Sequence, residues 1–513
     1  MAERETMRDG GVPSSSAAAA ATVDGSASAR VSFGGKRWLA LSFLCVGQLM
    51  IVLDVTVVNV ALPTIQHDLH FTQASLAWVV NAYLLTFGGL ILLAGRLGDL
   101  IGRKRVFLAG VGAFTVASMF CGLSNSQAEL VTARFVQGAT AALMASMILG
   151  ILVTMFPSPA ERARAMGLYA FVASSGGSIG LLVGGALTET LNWHWIFFVN
   201  VPIGILTFAF SWFLVQGSKG LGFRHGVDLV GGVLAVAAPT AAVYTIVHAS
   251  GWGWGSAKTL AWALGTLALL AGFLLTESRV KNPLMPLAIF ESRTRSLGNA
   301  VRALFAVGLF GAFFIGALYL QHILGYSAIQ TGLAFLPSTL TVGLFSLGVT
   351  ARVMSRIGIK ATVLPGLLFA GVALLLFARM PVGGTYVVDV LPGMLLFGIG
   401  GGLVFAPSVA LAMSGTGPRD SGVASGLANL TLQLGAALGL AVLASVSATV
   451  AARRLTSGVA APFALTDGFH VAFLIGAGCV ALAVVLVAAL LPSARPARQA
   501  AASEPSADHV GAA

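Results

Sequence analysis

The segment that decides the fold occurs twice in the chain. Its first copy is Gly95-Arg-Leu-Gly-Asp-Leu-Ile-Gly-Arg-Lys104, and its second copy is Ala351-Arg-Val-Met-Ser-Arg-Ile-Gly-Ile-Lys360. An arginine, an isoleucine, a glycine and a lysine stand in register in the two copies. Just upstream, Gln73-Ala-Ser-Leu-Ala-Trp78 resembles Gln330-Thr-Gly-Leu-Ala-Phe335, displaced by one residue. Similar segments in equivalent places predict a chain of two related halves.

Long apolar blocks surround both copies of the segment. The chain has 513 residues, of which 57% are hydrophobic and 9% charged, whereas a soluble domain carries about 25% charged residues. The blocks are about 20 residues long, which is the length of a helix that crosses a hydrocarbon core about 30 Å thick. They are continuous and lack the alternation of barrel strands. The sequence therefore predicts an all-α membrane protein.

Fourteen such blocks can be counted, and they divide the chain. They lie near residues 38–61, 76–94, 106–123, 130–153, 165–187, 195–215, 227–248, 259–276, 302–321, 331–350, 361–378, 388–411, 425–448 and 470–491. Two of the blocks stand between two sets of six. We therefore predict a disordered cytoplasmic leader (1–37), an N-terminal six-helix half (38–215), two inserted helices with their loops (216–300), a C-terminal six-helix half (301–491) and a disordered cytoplasmic tail (492–513).

The basic residues favour one side of this topology. With the N-terminus inside, the cytoplasmic segments hold 24 of the 29 lysines and arginines, and the outer loops hold four. Lysine and arginine are retained on the cytoplasmic side of a membrane. We therefore predict a multi-pass protein of the inner (plasma) membrane with both termini in the cytoplasm. The net charge of +11 follows from this distribution, and no nucleic-acid partner is expected.

Several segments resemble the major facilitator superfamily and, within it, the fourteen-span drug:proton antiporters. The most specific is Leu53-Asp-Val-Thr-Val-Val-Asn-Val-Ala-Leu-Pro63, which resembles the first-helix signature of these antiporters. Gly95–Arg105 resembles the loop motif of the superfamily, and Arg134-Phe-Val-Gln-Gly138 resembles the motif of its fourth span. The resemblance extends over residues 38–491. It implies a major facilitator fold with two six-helix halves and two inserted helices.

The same resemblance implies a function. It indicates proton-coupled export of small hydrophobic or cationic organic molecules, such as drugs or antibiotics, by alternating access. The expected partners are protons, a small-molecule substrate and the lipid bilayer, and we expect a monomer without a cofactor. One position departs from the family, because Leu181 replaces the proline of the antiporter motif G-x-x-x-G-P-x-x-G-G in the fifth span. A proton-coupled uptake symporter of the same fold is therefore the alternative.

The sequence lacks the motifs that an enzyme or an ATP-driven transporter would require. A membrane-embedded enzyme requires paired intramembrane carboxylates or a cluster of His and Asp, and neither is apparent. ATP drive would call for a G-x-x-x-x-G-K-[ST] stretch, which the sequence does not contain. The three cysteines lack metal-type spacing. We therefore predict no catalytic residues and no metal site.

Two charged residues lie within the predicted spans. Asp54 is the only acidic residue deep in an apolar block, and Arg134 is the only basic residue well inside one. A buried carboxylate costs on the order of several kcal/mol, so it requires a partner or a proton. We predict that the two residues lie at the same depth and act together in proton coupling. The alternatives are a structural hydrogen bond for Asp54 and an Arg134 side chain that reaches the surface.

Three further sets of residues are candidates for the transport machinery. The loop motif predicts a conformational gate, formed by Gly95, Asp99, Gly102 and Arg103, although its charges could serve topology alone. The fifth span predicts a helix-packing face, formed by Gly176, Gly180, Gly184 and Gly185. Buried amides predict a possible substrate path, formed by Asn59, Gln137 and Asn200, although such amides often only bridge helices.

Overall fold

The computed structural model describes residues 25–217, 220, 222, 228–280, 283–416 and 421–491. These residues form helices joined by turns, with no strand among them. The helices are α1 (Gly25–Asp68), α2 (Gln73–Ile101), α3 (Arg103–Leu123), α4 (Gln127–Met155), α5 (Pro159–Thr190), α6 (Trp195–Phe198), α7 (Asn200–Leu214), α8 (Leu229–Trp252), α9 (Ala257–Arg279), α10 (Arg293–His322), α11 (Ala328–Leu344), α12 (Thr350–Phe377), α13 (Leu391–Ala412), α14 (Ser421–Thr456) and α15 (Ala461–Leu490).

The helices make fourteen passes through a membrane. Thirteen spans in the described part of the chain are long and apolar enough to cross one, and α11 is a shorter apolar helix. A π-helical turn, Phe345–Val349, continues α11 into α12. Because α12 breaks at Gly358, its first part completes the tenth pass and its second part forms the eleventh. The prediction of a fourteen-span, all-α membrane protein is confirmed.

An even number of passes puts the start of α1 and the end of α15 at one end of the bundle. We call this end the terminal face and the other end the opposite face. The inserted helices α8 and α9 pack on each other, and α8 also contacts α2 and α14, one helix from each half. Most side chains of α9 are exposed and apolar, such as those of Leu260, Leu264 and Leu267, which suits a surface that faces lipid.

The sequence repeat is visible in the backbone. Gly102 separates α2 from α3 with a φ of 107°, and Gly358 breaks α12 with a φ of 85°. A side chain would be strained at this φ, so both positions favour glycine. The two glycines that stand in register in the sequence therefore make the same tight turn in the two halves.

The lysines that end the two copies make equivalent contacts. Nζ of Lys104 donates a hydrogen bond to the carbonyl of Trp212 at the end of α7 (2.6 Å). Nζ of Lys360 donates to the carbonyls of Ala488 and Leu491 at the end of α15 (2.8 and 2.7 Å). The last carbonyls of a helix lack intrahelical partners and carry partial negative charge. Each lysine therefore caps the last helix of its own half.

Two helices extend beyond the apolar blocks from which they were predicted. Residues 25–37, predicted as part of a disordered leader, lie in the first turns of α1, because adding a residue to an existing helix costs far less than starting one. Helix α10 begins at Arg293, within the segment predicted to hold the inserted helices and their loops. Residues 1–24 of the predicted leader and the predicted tail, 492–513, lie outside the described residues.

Candidate functional site

The site is centred on an ion pair between α1 and α4. Nη1 of Arg134 donates to Oδ2 of Asp54 at 2.5 Å. The Asp54 side chain has no exposure to solvent, and that of Arg134 is 1% exposed. The structure thus brings the two predicted residues into direct contact. Burial of Arg134 excludes the alternative in which its side chain reaches the surface.

Gln137 joins both charges of the ion pair. It lies one helical turn after Arg134, so the two side chains share one face of α4. Its Oε1 accepts a hydrogen bond from Nη1 of Arg134 (2.7 Å), and its Nε2 donates to Oδ1 of Asp54 (2.6 Å). Nε2 also donates to Oγ of Ser118 on α3 (2.6 Å). Gln137, predicted to line a substrate path, is therefore a fully buried member of the ion-pair network.

Helix α2 and two aromatic rings hold Arg134 from the remaining sides. Nε of Arg134 donates to the carbonyl of Val79 (3.0 Å). The guanidinium carbon lies 4.5 Å from the ring centroid of Tyr83 and 5.8 Å from that of Phe197. A guanidinium over a ring face is attracted by the ring quadrupole, more strongly without water. The cation therefore has a defined position that does not depend on Asp54 alone.

The glycines of the fifth span face two different neighbours. Gly176, Gly180 and Gly184 lie against α1, and a Cβ on Gly184 would stand 2.7 Å from Cα of Val57. Gly185 faces α11 of the other half, where a Cβ would stand 2.8 Å from Cα of Ile329. The predicted packing face is thus a contact with the helix that carries Asp54, and Gly185 belongs to the interface between the halves.

The charged gate residues of the loop motif, Asp99 and Arg103, contact each other and α4. Nη2 of Arg103 pairs with Oδ1 of Asp99 at 3.3 Å, and these side chains are 35% and 45% exposed. Nη1 of Arg103 donates to the carbonyl of Gly150 on α4 (3.0 Å). Gly102 makes the turn described above, whereas Gly95 has no close neighbour at its Cβ position. The four predicted gate residues therefore have different structural roles.

The remaining predicted path residues are buried apart from this network. Nδ2 of Asn59 donates to the carbonyl of Val55 in its own helix (3.0 Å). Neither polar side-chain atom of the fully buried Asn200 has a hydrogen-bond partner. Within the part of the chain that the structure describes, no hydrogen bond joins Asn59, Gln137 and Asn200 into a continuous path.

Sequence reasoning missed a second buried arginine. Arg302 stood at the start of a predicted span, but α10 begins at Arg293, so Arg302 lies inside the helix and is 4% exposed. Its Nε donates to the carbonyl of Ala428 (3.0 Å) and its Nη1 to Oγ of Ser408 (3.3 Å). It links α10 to α13 and α14. The N-cap residue Ser292, ahead of the apolar block, is the sequence signal that could have revealed the longer helix.

Two buried carboxylates at helix ends were also missed. Asp228 and Glu277 are 6% and 3% exposed at the terminal-face ends of α8 and α9. Oδ1 of Asp228 accepts from the amide of Gly231 (2.7 Å), and Oε2 of Glu277 accepts from that of Met285 (2.9 Å). Both residues stood at predicted span ends, where hydropathy does not report burial.

Hydrogen bonds between the halves cluster at the opposite face. Oε2 of Glu189, at the end of α5, accepts from Oγ of Ser327 (2.6 Å) and from the amide of Ile329 (3.0 Å) at the start of α11. Nε2 of Gln321 at the end of α10 donates to the carbonyl of Val60 on α1 (2.8 Å). These bonds hold the two halves together at the opposite face.

Comparison with known proteins extends these observations. The profile described as Major Facilitator Superfamily matches residues 44–440. The puromycin resistance protein pur8 of Streptomyces alboniger is 37% identical, over 89% of this chain and 92% of its own length. The cephamycin export protein CmcT of Amycolatopsis lactamdurans is also 37% identical, over 88% and 92%. The tetracenomycin C resistance and export protein of Streptomyces glaucescens is 34% identical, over 81% and 77%.

Solved structures share the fold at low sequence identity. A structure of the nucleoside transporter NupG superposes with a TM-score of 0.62 at 14% identity, over 88% of this chain and 99% of its own. An auto-inhibited peptide transporter of the POT family gives the same TM-score at 16% identity, over 88% and 97%. At this identity the likeness establishes the arrangement of helices alone.

Proposed function

Because the chain belongs to the Major Facilitator Superfamily, we propose that it exports small hydrophobic or cationic organic molecules, such as drugs or antibiotics, in exchange for protons. It is a multi-pass membrane transporter and not an enzyme. Its relatives are named for antibiotic resistance and export, which favours export over uptake by a symporter. The buried ion pair between Asp54 and Arg134 carries the proposal of proton coupling.

Two opposing effects act on Asp54. Removal from water favours the protonated carboxyl, whereas the cation of Arg134 and the amide of Gln137 favour the carboxylate. When water reaches the pair from one face, this balance changes. Asp54 can therefore load a proton from one side of the membrane and release it to the other, as alternating access requires.

Helix α5 connects the ion pair to the interface between the halves. Gly180 and Gly184 hold α5 against α1 beside Asp54, and Gly185 holds it against α11. Packed interfaces have discrete arrangements and do not deform continuously. A displacement of α1 on protonation of Asp54 would therefore be transmitted through α5 to the contact with the C-terminal half.

The proposed orientation places the terminal face in the cytoplasm of the cell and the protein in its inner membrane. Once the buried Arg302 is set aside, the predicted topology places 23 basic residues in cytoplasmic segments and four in outer loops, which supports this orientation. The hydrogen bonds at the opposite face would then lie on the outer side of the membrane and hold the two halves together there. We further propose a monomer made of two six-helix halves with α8 and α9 inserted between them.

Transport in everted membrane vesicles tests this function. Respiration acidifies the interior of such vesicles, and an exporter should then accumulate a substrate such as puromycin, the compound for which one relative is named. Nigericin, which collapses the pH gradient, should release the accumulated compound. Accumulation in right-side-out vesicles alone would instead support the symporter. Accumulation that persists without any gradient would contradict proton coupling.

A further inference from the structure

A cavity of about 920 Å³ opens near the opposite face. Its walls are the first turns of α2 and α4 from the N-terminal half, the last turns of α8, and the end of α14 from the C-terminal half. Asp54 and Arg134 do not line it. Phe135 does, although it follows Arg134 directly in the chain, because successive residues point to different sides of a helix. The cavity is therefore a compartment separate from the ion pair.

Aromatic rings form much of the cavity wall. On the N-terminal half, the ring centroids of Trp78 and Phe135 are 6.2 Å apart. On α8, the ring of His248 stacks on that of Tyr244 at 4.0 Å and lies 4.9 Å from that of Trp252. Aromatic side chains therefore stand in both walls, and contacts between aromatic pairs add to the affinity that apolar burial alone provides.

The side chains that line the cavity limit the charge that a bound molecule can carry. Among the described lining residues, none is Asp, Glu, Lys or Arg. Hydroxyl and amide side chains, including those of Thr72, Gln73 and Gln127, supply hydrogen-bonding groups without formal charge. A ligand ion would have to leave water with no counter-charge in the wall, which is costly. The volume lies within the range of about 300–1,000 Å³ that is typical of small-molecule sites.

From these features we propose that the cavity binds neutral, planar aromatic molecules at a site separate from the proton-coupling pair. Aromatic rings in two walls suit such a molecule better than a flexible acyl chain, which gains nothing from ring–ring contacts. The proposal rests on the proposed export function, in which this site receives the substrate on its way out.

The cavity is also built into the contact between the halves. Gln73 lines it, and its Nε2 donates to Oγ of Ser447 on α14 (3.1 Å). Thr449 on α14 lines it as well. A bound molecule therefore touches both halves in the state in which the opposite face is closed. When the halves separate at this face, one wall moves away from the other and the site loses part of its stacking surface.

Binding of radiolabelled pyrenemethanol, a neutral planar probe, to the purified full-length protein in lipid nanodiscs tests the proposal. We expect saturable binding, and the double substitution Tyr244→Ala with Trp252→Ala should raise its Kd about tenfold, because two ring contacts are lost. The single substitution Trp252→Phe, which keeps an aromatic ring at this position, should retain most of the wild-type affinity. The matched control is Trp254→Ala, since Trp254 is 51% exposed and does not line the cavity.

Three results would overturn the proposal: an unchanged Kd in the double variant, an equal loss in the Trp254 control, or displacement of the probe by monopalmitoylglycerol at lower concentration than by unlabelled pyrenemethanol. The last would identify a lipid site. Failure of the binding-site proposal can be told apart from failure of the export proposal, because binding and transport are measured separately. Asp54→Asn should abolish gradient-driven transport without changing the Kd for pyrenemethanol. Normal probe binding without gradient-driven transport in the wild type would count against export alone.

Discussion

Nη1 of Arg134 lies 2.5 Å from Oδ2 of Asp54, and the protein closes both groups off from solvent. The two residues belong to different helices and are linked a second time through Gln137. Removal of one partner from a buried ion pair leaves an uncompensated charge at a cost of about 3–5 kcal/mol. The pair can therefore change its protonation only together with its surroundings, which is the property that a coupling site needs.

Asp54→Asn should abolish gradient-driven transport while leaving substrate binding intact. Asparagine keeps the shape of Asp54 and one acceptor oxygen, but it cannot exchange a proton with either side. Accumulation in everted vesicles and equilibrium binding to purified protein measure the two properties separately. If the variant still accumulated substrate against its gradient, Asp54 would be structural and the proton site would lie elsewhere.

Arg134→Ala should move the pH dependence of transport and not merely lower expression. Without the guanidinium, Asp54 loses the cation that favours its carboxylate form, so proton release requires a higher pH. The optimum of transport should therefore shift upward. Arg134→Lys is the matched control, because it keeps the positive charge while losing the planar guanidinium and its fixed arrangement of hydrogen-bond donors. An unshifted profile at equal expression would remove Arg134 from coupling.

Asp99→Asn should slow transport while the protein still inserts into the membrane. The substitution breaks the ion pair with Arg103 at the turn between α2 and α3, whereas the neighbouring basic residues still specify topology. Initial rates in vesicles, normalised to the amount of protein, measure the effect. Asp467→Asn disrupts a comparable surface pair with Arg454 at the opposite face (2.9 Å) and should leave the rate unchanged. If Asp99→Asn and Asp467→Asn transported at equal initial rates, Asp99 would have no role in gating.

Gly184→Ala should destabilise the protein and reduce transport, because the added methyl group meets the backbone of Val57 on α1. Overpacking of this kind costs about 1–3 kcal/mol. Gly177 lies on the same helix with nothing within 4 Å of its Cβ position, so Gly177→Ala is the matched control and should be neutral or slightly stabilising. Thermal unfolding in detergent and vesicle transport compare the two. Similar behaviour of both variants would show that close packing of α5 on α1 is dispensable.

Fusions should place both termini in the cytoplasm. A fluorescent protein joined after residue 493 should be bright, because it folds on the cytoplasmic side of the inner membrane. Alkaline phosphatase inserted between Thr456 and Ala461, where α14 ends and α15 begins, should be active because it requires the outer side. The reverse pattern of signals would contradict the orientation inferred from the basic residues.

Much of the fold could be predicted because the bilayer imposes it. Backbone groups in hydrocarbon must be satisfied within each segment, so an apolar block of sufficient length becomes a helix whatever its neighbours are. The glycines Gly102 and Gly358, which stand in register in the sequence, make the same turn in both halves, since a positive φ is a local requirement that favours glycine. Helix ends were less predictable, as Arg302 illustrates, because a helix continues past the apolar block that identifies it.

The sequence by itself determined the membrane fold, the repeat of two halves and the candidacy of Asp54 and Arg134, since each depends on hydropathy, local backbone geometry or a charge in an apolar block. Only the tertiary structure decided which groups meet. It joined Gln137 to the ion pair, buried the carboxylates of Asp228 and Glu277 at the ends of α8 and α9, and turned Gly185 away from α1 toward the other half. These contacts depend on how each helix is rotated and tilted against its neighbours, which is set by packing between residues distant in the chain.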